Sequence, residues 1–104
     1  MAEVKISSLA EIDLDEIWDF ISEKNVDSAQ RLIREFGQKF NLLGENPNIG
    51  RRHDEVVINL RSFPHKKYII FYFEIENGVE IYRVLHGARD VENLFEDYFE
   101  GLKP

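Results

Sequence analysis

The stretch from Tyr68 to Leu85 reads YIIFYFEIENGVEIYRVL. Two runs rich in β-branched and aromatic residues flank Asn77-Gly78, the strongest two-residue hairpin signal. A turn on those two residues pairs Glu76 with Val79 and Ile75 with Glu80. Carried up the ladder, this register sets Tyr72 opposite Arg83 and Ile69 opposite His86. Alternation then puts Ile69, Phe71, Phe73, Ile75, Tyr82, Val84 and His86 on one face. Tyr68, Ile70, Tyr72, Val79, Ile81, Arg83 and Leu85 take the other. Both faces are largely apolar, so each needs cover from elsewhere in the chain or from a partner.

The segments before the hairpin supply helices. Ala10, Leu14, Ile17 and Ile21 recur at helical spacing, with Trp18 and Phe20 flanking them. Asp13, Asp15, Glu16 and Asp19 fill the expected outer face. Ser8 with Glu11 fits a capping box at the start, and the helix should end near Asn25. Asp27 with Gln30 can cap a second helix, whose Ala29, Ile33, Phe36, Phe40 and Leu43 form one apolar stripe. Gly44 suits the position after its end, and Pro47 prevents resumption. Val4 to Ser7 reads as an edge strand, and Val56 to Phe63 as another strand that Pro64 breaks. Beyond the hairpin, Asp90 can cap a last helix with Val91, Leu94, Phe95, Tyr98, Phe99 and Leu102 apolar. The expected fold is therefore α+β in the order β-α-α-β-β-β-α. An N-terminal helical hairpin packs on a small antiparallel sheet in one domain spanning 1–104.

Composition narrows the function. A content of 43% hydrophobic and 32% charged residues is that of a globular chain. There is no cysteine, so disulfides and thiolate metal sites are excluded. No apolar run approaches the roughly 18 residues of a membrane span, and no signal-peptide pattern opens the chain, so a cytoplasmic protein is expected. The net charge is −7. Residues 51–90 alone are slightly basic. Direct binding to nucleic acid is not expected, because such binding draws on many neutralised phosphates.

The segment Arg83 to Asp90, RVLHGARD, concentrates two arginines, a histidine and an aspartate. Cleavage of RNA by its own 2′-hydroxyl needs an acid, a base and cations around the phosphorus. His86 can serve as acid or base, and Arg61, Arg83, Arg89 or Lys67 can supply charge. Strand parity, however, sends Arg83 and His86 to opposite faces. A lone histidine at a strand end is more often structural, and Asp90 is most simply a helix cap. Arg51-Arg52-His53 stands beside Asp54-Glu55, which reads as a solvated turn. His53, His65 and His86 lack metal-ligand spacing, so no metal and no cofactor are expected. Trp18, Phe20, Tyr98 and Phe99 are not all needed by the helix stripes and are candidate contact residues.

The ordered blocks Asn46-Pro47-Asn48-Ile49-Gly50-Arg51-Arg52, Leu60-Arg61-Ser62-Phe63-Pro64, Tyr68 to Tyr72 and Val79 to Asp90 together resemble the ParE toxins of the RelE/ParE superfamily, over roughly residues 4–98. The resemblance implies a toxin made with a ParD-type antitoxin that wraps and neutralises it. It also implies DNA gyrase as the target. The RelE relatives instead cut mRNA on the ribosome. A net charge of −7 and the apolar Ile69-Ile70-Phe71 favour the non-nuclease branch, with no catalytic residue. On the nuclease reading the catalytic candidates are His86, Arg61 and Arg83. A third reading is an antitoxin-binding module that is no longer toxic. The expected antitoxin or target contacts are Arg61, Tyr72, Arg83, Arg89, Trp18, Phe20, Tyr98 and Phe99. The antitoxin is expected over the sheet face left open, its acids meeting Arg61 and Arg83.

Overall fold

Ala10, Ile17, Leu32, Phe36, Phe40 and Leu43 form the buried seam of a helical hairpin. Its arms are α1 (Ser8–Ser22) and α2 (Val26–Glu45). The structure is a computed structural model and describes residues 2–87. The hairpin lies on a sheet of five strands among those residues: β1 (Glu3–Ile6), β2 (Arg51–Arg52), β3 (Leu60–His65), β4 (Tyr68–Ile75) and β5 (Gly78–His86). Their order across the sheet is β1-β5-β4-β3-β2. The last three form the expected antiparallel meander. β1 joins its far edge parallel to β5, with Glu3 beside Gly78 and Ile6 beside Ile81. The predicted α+β architecture stands, while the last helix, its cap Asp90 and residues Arg89, Tyr98 and Phe99 lie outside the described residues.

The helix seam packs on Ile70, Tyr72, Val79, Ile81 and Val84, and this is the main core. Phe36 is 1% exposed and stacks near Phe40, and such burial contributes about 1.5–3 kcal/mol per large side chain. The opposite sheet face carries a second, smaller core of Leu60, Phe71 and Leu85 under Val57, with Ile69, Phe73 and Tyr82 half-buried. The segment between β2 and β3 thus covers part of the face that the hairpin helices leave open.

Several local expectations change, and both helix caps move towards the N-terminus, by one residue and by two. The helix cap is Ser7, not Ser8: its Oγ accepts from the Ala10 amide at 3.0 Å and donates to the Tyr82 carbonyl at 2.7 Å. It therefore ties α1 to β5 as well as closing the first turn. The second cap is Asn25, which accepts from the Ser28 amide at 3.0 Å, and Asp27 lies in the first turn. Gly44 is not a left-handed residue past the helix end. It is buried inside α2, where a Cβ would stand 3.0 Å from Val4 Cγ2, so it is small to let β1 approach. Pro64 does not break β3. β2 pairs only with Arg61 and Ser62, so no β2 group lies opposite the missing amide of Pro64.

The hairpin register also differs from the expected one. The turn residues are Glu76 and Asn77, and Ile75 pairs with Gly78. Asn77 takes the left-handed conformation at φ 66°, and Gly78 does not. Gly78 is required for another reason: a Cβ there would fall 1.8 Å from the Glu3 carbonyl oxygen. A bulge between Tyr72 and Phe71 then absorbs one residue of β5, so Tyr72 pairs with Ile81 and Phe71 with Arg83. Past the bulge the faces exchange. Val84 joins the helix-side core and Leu85 the other, the reverse of simple alternation.

Candidate functional site

The bulge sets the surroundings of Arg83. β1 stops pairing at Ile81, so the outer edge of β5 beyond it needs another partner. α1 supplies one through Asp13, which is 7% exposed rather than on the outer face as the pattern of acids suggested. Its carboxylate accepts from Arg83 Nε at 2.8 Å, from Arg83 Nη2 at 3.0 Å and from the Val84 amide at 3.0 Å. The Arg83 side chain is 14% exposed. It is an internal anchor between helix and sheet, opposite Phe71 and not Tyr72.

Arg61 and Tyr72 are cross-strand partners, and both reach the loop between α2 and β2. Tyr72 is fully buried. Its hydroxyl donates to the Pro47 carbonyl at 2.8 Å and accepts from the Gly50 amide at 2.9 Å. Burial pushes this phenol above its ordinary value of 10.0, against the Gly50 hydrogen bond and the Arg61 charge. Arg61 Nη1 donates to the carbonyls of Asn48 at 3.2 Å and Gly50 at 2.9 Å. The Asn-Pro-Asn-Ile-Gly block is thereby pinned to the sheet from two sides. A Cβ at Gly50 would lie 2.3 Å from the Tyr72 hydroxyl, which explains its glycine. Tyr72 is therefore removed from the candidate contacts by its burial.

Beside this knot lies a polar cleft of about 500 Å³ lined by Asn48, Arg52, Asn59, Arg61, Glu74 and Ile75. Arg51-Arg52, expected in a solvated turn, forms the short edge strand β2, and Arg52 pairs with Asp54. Asp54 accepts from the Asn59 amide at 2.8 Å. That bond, then Arg52 and Arg61, hold its carboxyl below the usual 3.8. Asn59 sits at φ 70°, a conformation asparagine tolerates.

The nuclease candidates are not gathered at one point of this surface. Arg61 on β3 holds a loop, and Arg83 lies two strands away, about 10 Å across the sheet. His86 meets the Tyr68 ring edge-on at 5.6 Å between centroids. The other histidines make specific contacts: His53 Nε2 lies 2.6 Å from Ser62 Oγ, and His65 Nε2 lies 2.8 Å from Glu35 Oε1. No cluster of three or more metal-ligating side chains occurs among the described residues.

The helical hairpin presents a different kind of surface. Trp18 is half-buried in a groove with Glu11, Leu14, Asp15 and Ile33. Phe20 is 59% exposed and has Lys24 Nζ 5.9 Å from its ring centroid. Leu9 and Ile12, which sequence reasoning passed over, are 42% and 52% exposed. Their signal was present: they are apolar at positions the core stripe does not use.

Comparisons with known proteins agree with this architecture. The family model described as "ParE toxin of type II toxin-antitoxin system, parDE" matches residues 4–91. "Toxin ParE1" of Mycobacterium tuberculosis (strain ATCC 25618 / H37Rv) is 33% identical over 89 residues, 84% of this chain and 91% of the relative. "Toxin ParE1" of Caulobacter vibrioides is 29% identical over 87 residues, 83% and 90% of the two chains. A solved chain titled "Chromosomal ParDE TA system from P. aeruginosa" superposes with a TM-score of 0.68 at 18% identity. It covers 83% of this chain and 96% of its own length, and speaks to the fold.

Proposed function

The chain belongs to the ParE toxin family of type II toxin–antitoxin systems, and from that membership we propose that it acts by binding and blocking DNA gyrase. As a ParE toxin it has an antitoxin partner, and we take this to be a ParD-type protein that neutralises it. Inhibition by binding is supported by one observation above others. The basic side chains a ribosome-dependent nuclease would use are committed to the fold: Arg83 to Asp13, and Arg61 to the Asn48 and Gly50 carbonyls. Arg83 is not presented for a phosphate in transition, and Arg61, which borders the polar cleft, has its guanidinium engaged by two carbonyls. The net charge of −7 likewise opposes docking on ribosomal RNA. Among the described residues no helix is long and apolar enough to cross a membrane. We place the protein's action in the cytoplasm, where DNA is supercoiled.

On this reading the polar cleft bordered by Arg52 and Arg61 is the candidate target contact. Arg83 is a scaffold residue. The test is supercoiling by purified gyrase in the presence of the antitoxin-free toxin. Loss of supercoiling with accumulation of cleaved DNA is expected. Undiminished supercoiling at high molar excess removes gyrase as the target. Ribosome-bound mRNA probed by primer extension should show no toxin-dependent cleavage, and cuts that vanish in Arg61→Ala would reinstate the nuclease.

A further inference from the structure

Asn77 lies in the turn between β4 and β5, exposed and left-handed at φ 66°. Its carbonyl accepts from the Glu3 amide at 2.8 Å, the bond that opens the pairing of β1 with β5. The next residue, Gly78, has no Cβ and has room for none, because the Glu3 backbone lies against it. An asparagine side chain is open to attack by the backbone nitrogen that follows it. A side chain on the following residue shields that nitrogen, and glycine leaves it bare. The chain holds six other asparagines, and each is followed by valine, leucine, isoleucine or proline. The close approach of β1 thus demands, after Asn77, the one residue that leaves the Asn77 side chain open to its own backbone.

We propose that Asn77 is a site of spontaneous deamidation, and that its isoaspartate product releases β1 from the sheet. The Gly78 nitrogen attacks Asn77 Cγ and gives up its proton. The Cγ–Nδ2 bond breaks, and ammonia leaves with that proton. The product is a five-membered succinimide. Water then opens the ring: at the former side-chain carbon it gives aspartate, and at the former main-chain carbon it gives isoaspartate. Nothing is oxidised or reduced, and water is the sole co-reactant. In isoaspartate the chain runs through Cβ and Cγ, so it gains one bond of about 1.5 Å. The carbonyl that served the Glu3 amide becomes a free carboxylate outside the chain. Its neighbours are acids, Glu76 in the turn and Glu3 on β1, and Lys5 already lies 3.8 Å from Glu3. A longer and more negative turn no longer holds Glu3 in register with Gly78. β1 then leaves the edge of β5 unpaired up to Ile81, and Val4 leaves its place beside Gly44. Neither the antitoxin nor the target takes part in this chemistry.

The test ages the full-length toxin for days at growth temperature in mildly alkaline buffer. Peptide mass spectrometry locates the change, and isoaspartyl methyltransferase with labelled S-adenosylmethionine marks isoaspartate. Residue 77 should show the mass change of amide to acid and take the label, while the six other asparagines stay intact. The Glu3 amide should lose its exchange protection in the converted fraction alone. Asn77→Gly suits the left-handed position and has no side-chain amide to lose, so it should neither take label nor lose protection on ageing. Freshly made Asn77→Asp has the charge without the longer chain, and its Glu3 amide should stay protected. An intact Asn77 in the folded toxin, while a peptide of residues 74–80 converts in the same buffer, overturns the proposal, because the turn then resists attack. Isoaspartate at residue 77 with Glu3 still protected overturns the release of β1. Equal loss of protection on ageing in Asn77→Gly overturns it too, since β1 would then detach with no chemistry at residue 77. Loss of protection in fresh Asn77→Asp overturns the isoaspartate route, since charge alone would suffice.

Discussion

Replacing Asp13 by alanine removes the carboxylate that joins α1 to the open edge of β5. Three hydrogen bonds end on it, two from Arg83 and one from the Val84 amide. Breaking a buried ion pair from one side costs about 3–5 kcal/mol, because the remaining charge stays desolvated. Arg83 keeps 14% of its side chain exposed, so water recovers part of this and about 3 kcal/mol is expected. At 4–8 °C per kcal/mol for a domain of this size, the melting temperature should fall by roughly 12–24 °C. The assay is urea unfolding with an unchanged m-value, repeated in Arg83→Met and in the double variant Asp13→Leu/Arg83→Met. Removing both charges should recover most of the loss. A remainder of about 1 kcal/mol should persist, because the Val84 amide still lacks its acceptor. A loss below about 1 kcal/mol in Asp13→Ala, or strictly additive single effects, would refute the account of Asp13 as a buried anchor.

Other expectations follow from the same contacts. Tyr72→Phe deletes the bonds to Pro47 and Gly50 and should cost about 1–3 kcal/mol in the same assay, with the loop amides exchanging faster. Gly78→Ala should detach β1, since its Cβ would meet the Glu3 backbone, and the Glu3 amide should lose its exchange protection. The Lys66 and then His65 hydrogen bonds hold the Glu35 carboxyl below its ordinary 4.5. A lowered folded-state value means this contribution is complete above pH 4.5 and is lost as pH falls through the folded value. Glu35→Gln should therefore flatten the acid limb of the stability profile, and an unchanged limb would deny the contact any thermodynamic weight.

Much of this architecture was legible from residue order because period and turn chemistry agree. The stripe from Ala29 to Leu43 admits little but a helix, and Tyr68 to Leu85 little but a hairpin. Residues whose job is set by a distant segment were less legible. Gly78 looks like a turn glycine, yet it is small because Glu3 comes from the other end of the chain to lie against it. Gly44 looks like a helix stop, yet it makes room for Val4. Ser7 and Ser8 have the same local claim to cap α1, and the Tyr82 carbonyl favours Ser7. Asp13 sits among four other acids of its helix, and only the bulge in β5 explains why it alone turns inward. That bulge carries no signal in a sequence of uninterrupted β-formers. It turns Arg83 from a candidate contact into an anchor between helix and sheet. The roles of Arg89, Tyr98 and Phe99 fall outside the described residues.

The parallel pairing of Glu3 with Gly78 has a consequence for how the toxin is made. Among the described strands β1 is made first and waits for β5, so the nascent chain cannot finish this sheet early. At 5–20 residues per second, about 4–15 s separate the synthesis of Ile6 from that of Ile81. Until then β1 has no strand to pair with, the Ser7 side chain lacks the Tyr82 carbonyl, and Asp13 lacks Arg83. The α1–α2 hairpin can form well before that, because its contacts are local. Each new molecule thus passes through a window in which the helical hairpin can stand formed while the sheet beneath it is still incomplete.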